Sequence, residues 1–274
     1  MLIALTSAKG APGVTTAALA ITLSWPRPRR AVLAELDPAG GEVLAGYGGG
    51  QLPAPGLGEL IFAARRGGGI GQQLWSHLVT LDAGKRALLL PGLADPAAAR
   101  GVGWDRLAAA LVELDGEDVD VLADCGRLRA EWYPVPALQR AAAVLVVCSS
   151  TLRGVRAAKQ AVTELRGVLG AIGAGGDGVG LLVAGPGGPY SGKEIAAAVG
   201  APVIATLPRD AKAAAVLSDG VPTTRAWLQS RLMRAARVAA GDVAAFAGAR
   251  RDRLTPATDV PAPATSAGGA GRVR

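Results

Sequence analysis

The chain has 274 residues, of which 50% are hydrophobic, 19% charged and 4% aromatic. Half the residues being apolar excludes a disordered chain, and the length is ample for a buried core in one large domain. The formal charge of +7 permits contact with DNA or an anionic surface without demanding it, while two Cys and one His exclude a disulfide framework and an ordinary zinc site.

Short apolar runs alternate with longer helical ones, the pattern of a doubly wound α/β domain with a mostly parallel sheet of about seven strands. The predicted strands are Leu2–Thr6, Ala31–Leu36, Ala87–Leu90, Val119–Ala123, Ala142–Val147, Val179–Ala184 and Val203–Leu207. Most are continuously apolar, as strands covered on both faces should be. Helices are predicted over Thr15–Ser24, Trp104–Leu114, Leu152–Leu169 and Ser191–Val199. A last one spans about Thr223 to Phe246, with Trp227, Leu228, Leu232, Ala235 and Val238 as its apolar side and Arg225, Arg231, Arg234 and Arg237 opposite. From Arg251 to Arg274 the composition turns to Pro, Ala, Thr and Gly, so the domain is expected over 1–250 and a disordered tail over 251–274.

No run of about 18 apolar residues exists to span a membrane. The N-terminal segment has no basic n-region and carries its one charge, Lys9, in the middle, so it does not read as a signal peptide. A cytoplasmic protein is expected.

The first strand leads directly into Ser7-Ala8-Lys9-Gly10-Ala11-Pro12-Gly13-Val14-Thr15-Thr16 and then a helix. A glycine-bearing loop between a strand and a helix start aims backbone N–H groups at one spot, where the helix dipole favours an anion such as phosphate. Gly10 and Gly13 allow close backbone approach. Thr15 can place its hydroxyl on a magnesium ion beside the phosphates, or simply cap the helix.

This stretch resembles the deviant Walker A loop of the MinD/ParA family of P-loop ATPases, K-G-G-x-G-K-T-T, aligned on Lys9, Gly10, Ala11, Pro12, Gly13, Val14, Thr15 and Thr16. The resemblance extends to about Leu217. It implies ATP and Mg2+ as ligands, with the loop on the phosphates and Thr15 and Asp124 on the metal. It also implies a nucleotide-dependent homodimer, with Lys9 as the signature lysine that reaches the partner's nucleotide. Ala31-Val-Leu-Ala-Glu-Leu-Asp37 resembles the second strand and switch I, which makes Asp37 the residue that positions the attacking water. Val119-Asp-Val-Leu-Ala-Asp124 resembles the Walker B strand, and Val203-Ile-Ala-Thr-Leu-Pro208 the late strand whose Pro208 lies near adenine. Gly56-Leu-Gly-Glu-Leu, His77-Leu and Leu88-Leu-Leu-Pro-Gly are similar to the pilus-assembly branch, CpaE/TadZ. The role implied is a spatial organiser acting in partition, septum placement or localisation of a secretion or pilus apparatus. A protein partner or cargo would recruit it to the pole, septum or membrane.

The chain departs from that pattern at three points. Val14 stands where the family has its catalytic lysine, a loss of a charge-assisted hydrogen bond of about 1.5–3 kcal/mol, or roughly 10- to 100-fold in binding. Ala11 replaces a glycine, and Val183-Ala-Gly-Pro-Gly187 offers no Asn to read adenine. These favour a rival reading, a non-hydrolysing pseudo-ATPase scaffold. A DNA-binding partition protein is a third, supported by the Arg-bearing last helix. The tail offers no bulky amphipathic face, so direct membrane insertion is not expected. Cys125 and Cys148 read as buried structural thiols, and His77 as a packed surface histidine.

Overall fold

The computed structural model describes residues 1–9, 12–50, 55–171, 176–185 and 187–254. Its first half runs β1 (Leu2–Ser7), α1 (Val14–Leu23), β2 (Arg30–Glu35), α2 (Leu57–Arg66), α3 (Gly69–Leu74), β3 (Val79–Thr80), β4 (Ala87–Leu90), α4 (Trp104–Glu113) and β5 (Val119–Arg127). There follow α5 (Val135–Arg140), β6 (Ala143–Ser149), α6 (Leu152–Gly170), β7 (Val179–Ala184), α7 (Gly192–Val199), β8 (Val203–Leu207), α8 (Ala211–Ser218), α9 (Arg225–Leu228) and α10 (Arg231–Leu254).

The strands form one sheet in the order β3-β4-β2-β5-β1-β6-β7-β8, parallel except for β3, which pairs antiparallel with β4. Eight strands therefore replace the expected seven. The extra one has two residues at the sheet edge, too short to leave a periodic signal. Alternate residues of each strand face opposite cores. Leu2 and Ala4 of β1 join Val144 and Val146 of β6 under α4 and α6, whereas Ile3 and Leu5 join Leu145 and Val147 under α1 and α10. Both faces are covered, which is why the strand sequences are continuously apolar.

The C-terminal helix differs from expectation in two ways. It is broken at Gln229–Ser230, and α10 continues to Leu254, four residues into the segment expected to be tail. The break resets the helical phase. The inward residues are Trp227, Leu232, Met233, Ala236, Ala239, Ala240, Val243 and Ala247, while Leu228 and Val238 face out. An alanine-rich helix carries little hydrophobic contrast, so the sequence does not mark its buried side. The rest of the expected tail, 255–274, lies outside the described residues. No helix among the described residues is long and apolar enough to cross a membrane.

Candidate nucleotide site

Adjacent parallel strands of this order leave a crevice at their carboxyl ends, around β1, β5 and β6. The loop from β1 to α1 opens there. Gly13, with φ 92 and ψ 48, is the N-cap of α1, a left-handed conformation that favours glycine. No side chain caps α1, and its own first turn has no acidic residue, so its N-terminal N–H groups and dipole are open to the crevice. Gly10 and Ala11 lie outside the described residues.

Two cavities flank this helix start, and Gly13 and Thr16 line both. The larger, ≈ 670 Å³, lies toward β6, β7 and β8 and is lined by Lys9, Pro12, Arg153, Pro208 and Arg209 among others. The smaller, ≈ 430 Å³, lies toward β2 and β5, with Val14, Thr15, Asp37, Glu42 and Gly126 in its wall. The expected site residues thus divide between the two: Lys9 and Pro208 in one, Val14, Thr15 and Asp37 in the other. Asp124 lies beneath the second.

Val14 is only 7% exposed and packs with Ile3, Leu5 and the apolar face of α1 in the core. It therefore closes the hydrophobic core at the first turn of α1. Asp124 is 2% exposed and sits within β5 rather than at its end, beside Glu35 in the strand register. The Thr15 hydroxyl and the Gly126 N–H hydrogen-bond its carboxylate, the latter at 2.9 Å. Burial nevertheless pushes its pKa up to about 6, with the neighbouring charges of Asp37 and Glu35 adding to the rise.

Asp37 follows β2 and leans on Gly126, whose φ is +61. Its Oδ1 accepts the Ala39 N–H at 2.9 Å. Gly126 is itself held from below. Tyr133 donates to Thr6 Oγ1 at 2.6 Å, and Thr6 donates to the Gly126 carbonyl at 3.1 Å.

Sequence reasoning missed Glu35, which is 3% exposed. Its carboxylate accepts N–H groups from Glu42 (2.7 Å), Val43 (2.9 Å) and Gly92 (3.1 Å), clamping the loop that carries Asp37 to the end of β4. Burial raises its pKa against those three bonds. The available signal was a charged residue inside an otherwise apolar strand.

The remaining singled-out residues take structural places. Cys125 and Cys148 are buried free thiols, and burial raises the pKa of both. His77 is buried rather than on the surface, its Nδ1 at 2.7 Å from the Gln73 carbonyl. Arg234 and Arg237 donate to the carbonyls of Gln229 and Leu228, which the break before α10 leaves open.

Among the described residues no cluster of three His, Cys, Asp or Glu side chains has the geometry of a metal site. Thr15 and Asp124 fit a magnesium ion that takes its other ligands from phosphates and water: the Thr15 hydroxyl hydrogen-bonds the Asp124 carboxylate, and a cation there would stabilise the ionised form that burial disfavours.

No protein-family model matches the chain, and no curated protein matches it in sequence. Solved structures do. MinD from Pyrococcus horikoshii complexed with Mg-ADP superposes with a TM-score of 0.71 at 17% identity, covering 90% of this chain and 97% of that one. A ParA family ATPase from Chlorobium tepidum gives 0.68 at 17% identity, covering 87% and 98%. The ATP complex of a Cyanothece McdA variant gives 0.62 at 19% identity, covering 90% and 95%. At such identities the likeness is one of architecture, and it settles the fold: this chain has the fold of the MinD and ParA family structures.

Proposed function

We propose that the protein is a nucleotide-linked spatial organiser of the MinD/ParA kind, in which MgATP occupies the crevice weakly and governs association with a second copy and a protein partner. One observation carries this reading. Thr15 hydrogen-bonds Asp124 and Asp37 packs on Gly126, which supports metal-binding and water-positioning roles for these three, while position 14 carries a buried apolar side chain. A magnesium ion would bring positive charge to the phosphates and to Asp124. Lys9 is exposed and lines the larger cleft, which supports a role for it in meeting a nucleotide held by an opposing subunit. Asp37 is seated on Gly126 and its loop is tethered by Glu35, which supports a role in orienting a water.

The burial of Val14 favours a second reading, in which nucleotide is bound but turned over slowly or not at all and the protein acts as a scaffold. Charge developing on transferring phosphate is what a lysine there would stabilise. Sedimentation of the full chain with and without MgATP tests the proposal. Nucleotide-dependent dimerisation, lost in Lys9→Ala, is expected. A mass that ignores nucleotide would refute it.

A further inference from the structure

The larger cleft carries a charge arrangement that the fold itself does not use. Lys9, Arg153 and Arg209 reach its lining from three separate places: the loop after β1, the first turn of α6 and the loop after β8. Among the described residues none of the three has an ion-pair or hydrogen-bond partner. The one carboxylate of the lining, Asp210, is occupied as the N-cap of α8, accepting the Ala213 N–H at 3.1 Å.

These placements run against local helix electrostatics. Arg153 is the second residue of α6, a 19-residue helix with no acidic residue in its first turn. Its charge therefore meets the positive end of the dipole, an unfavourable pairing for a cation. Arg209 directly precedes the cap of α8, and the uncapped start of α1 opens on the same cavity. Three helix ends and three cations converge on one space, and a polyanion there relieves their mutual repulsion.

Packing fixes the backbone beside Arg153 and the side chain of Arg209. The first turn of α6 is seated on the end of β6, because Gly154 fits against Ser149 so closely that a Cβ would overlap the Ser149 side chain. Thr151 Oγ1 accepts the Gly154 N–H at 3.2 Å and pairs with Ser149 Oγ at 2.9 Å. The Arg209 side chain lies across Gly185, where a Cβ would stand 3.0 Å from its Cγ and 3.2 Å from its Nε. Gly185 is fixed in turn by its N–H on the Leu207 carbonyl at 2.7 Å and by Ser150 Oγ donating to its own carbonyl at 2.8 Å.

We infer that Arg153 and Arg209 bind the phosphate chain of a nucleoside polyphosphate in this cleft, supplying from its far side the positive charge that Val14 does not. The inference rests on the nucleotide reading above and goes beyond it by relocating that charge from α1 to α6 and the β8–α8 loop.

The test is titration of the full-length protein with fluorescent N-methylanthraniloyl-ATP plus magnesium, beside Arg153→Ala, Arg209→Ala, the double variant, and the double variant carrying Val14→Lys. Each single replacement is expected to weaken binding about 10-fold, as loss of a charge-assisted hydrogen bond does. Val14→Lys is expected to restore binding to the double variant, a rescue that a merely structural role would not give. Thermal melts by circular dichroism, expected to be unchanged because both arginines are exposed, separate lost binding from lost folding. If the native chain binds the nucleotide and the alanine variants match it, or if a Val14→Lys double variant that keeps the native melt fails to rescue, the inference is overturned while the nucleotide reading stands. If the native chain binds nothing, both fall.

Discussion

The carboxylate of Asp37 rests on the α-carbon of Gly126, in space that a single methyl group would take. Gly126 also holds φ +61, a conformation that costs an alanine about 1–2 kcal/mol. Gly126→Ala is therefore expected to push Asp37 aside and to lower the thermal midpoint by roughly 2–8 °C. Sedimentation should show nucleotide-dependent association lost in a chain that still folds. An unchanged melt together with unchanged association would contradict the contact.

Asp124 makes stability depend on pH in a predictable direction. Its pKa, raised to about 6 chiefly by burial, lies above the unfolded value near 3.8. The folded chain thus holds the proton more tightly, and this group's contribution is fully present below the unfolded pKa and lost as pH rises through the folded one. Asp124→Asn abolishes that loss. Urea unfolding at about pH 4 and about pH 8 should show the variant gaining roughly 2 kcal/mol on the native chain between the two. Equal pH dependence in both proteins would mean that Asp124 titrates normally.

Glu35 is expected to govern the mobility of the Asp37 loop. A carboxylate with two acceptor oxygens satisfies the N–H groups of Glu42, Val43 and Gly92, and a glutamine offers one acceptor oxygen in their place. Glu35→Gln should speed amide hydrogen exchange at Glu42 and Gly92 by about 10-fold while leaving the β1 amides unchanged, the size expected from one lost hydrogen bond. Exchange that rises equally across the sheet would instead indicate global destabilisation.

Arg250 ties α10 to the sheet. Its guanidinium is 3% exposed and donates to the carbonyls of Ala141 (3.1 Å) and Ala142 (2.9 Å), with Asp177 3.3 Å away. Arg250→Leu leaves those carbonyls without this donor and should cost about 2–4 kcal/mol in denaturant unfolding. A change below about 0.5 kcal/mol would make the anchor dispensable.

Much of this was legible in advance, for physical reasons. Strands buried on both faces advertise themselves as apolar runs, and a loop such as 7–16 between strand and helix stands out because few other functions need glycine at a helix start. Asp37 and Asp124 could be ordered relative to that loop because a parallel sheet brings strand ends together. What stayed hidden depends on contacts distant in sequence. The Tyr133–Thr6–Gly126 chain links residues 127 and 120 positions apart. Glu35 reads as an interruption of a strand until Gly92 is seen folding back on it. The inward face of α10 could not be read where alanines fill both sides, and Arg153 and Arg209 gain meaning only when α6 and α8 are seen opening on one cleft.

The crevice is expected to take MgATP without a lysine at position 14. Calorimetric titration of the native chain and of Val14→Lys with ATP, in the presence and absence of magnesium, tests this most directly. Magnesium-dependent binding by the native chain is predicted, tightened about 10-fold in the variant by one added charge-assisted contact. Absence of heat in the native chain at millimolar ATP, with or without magnesium, would contradict it.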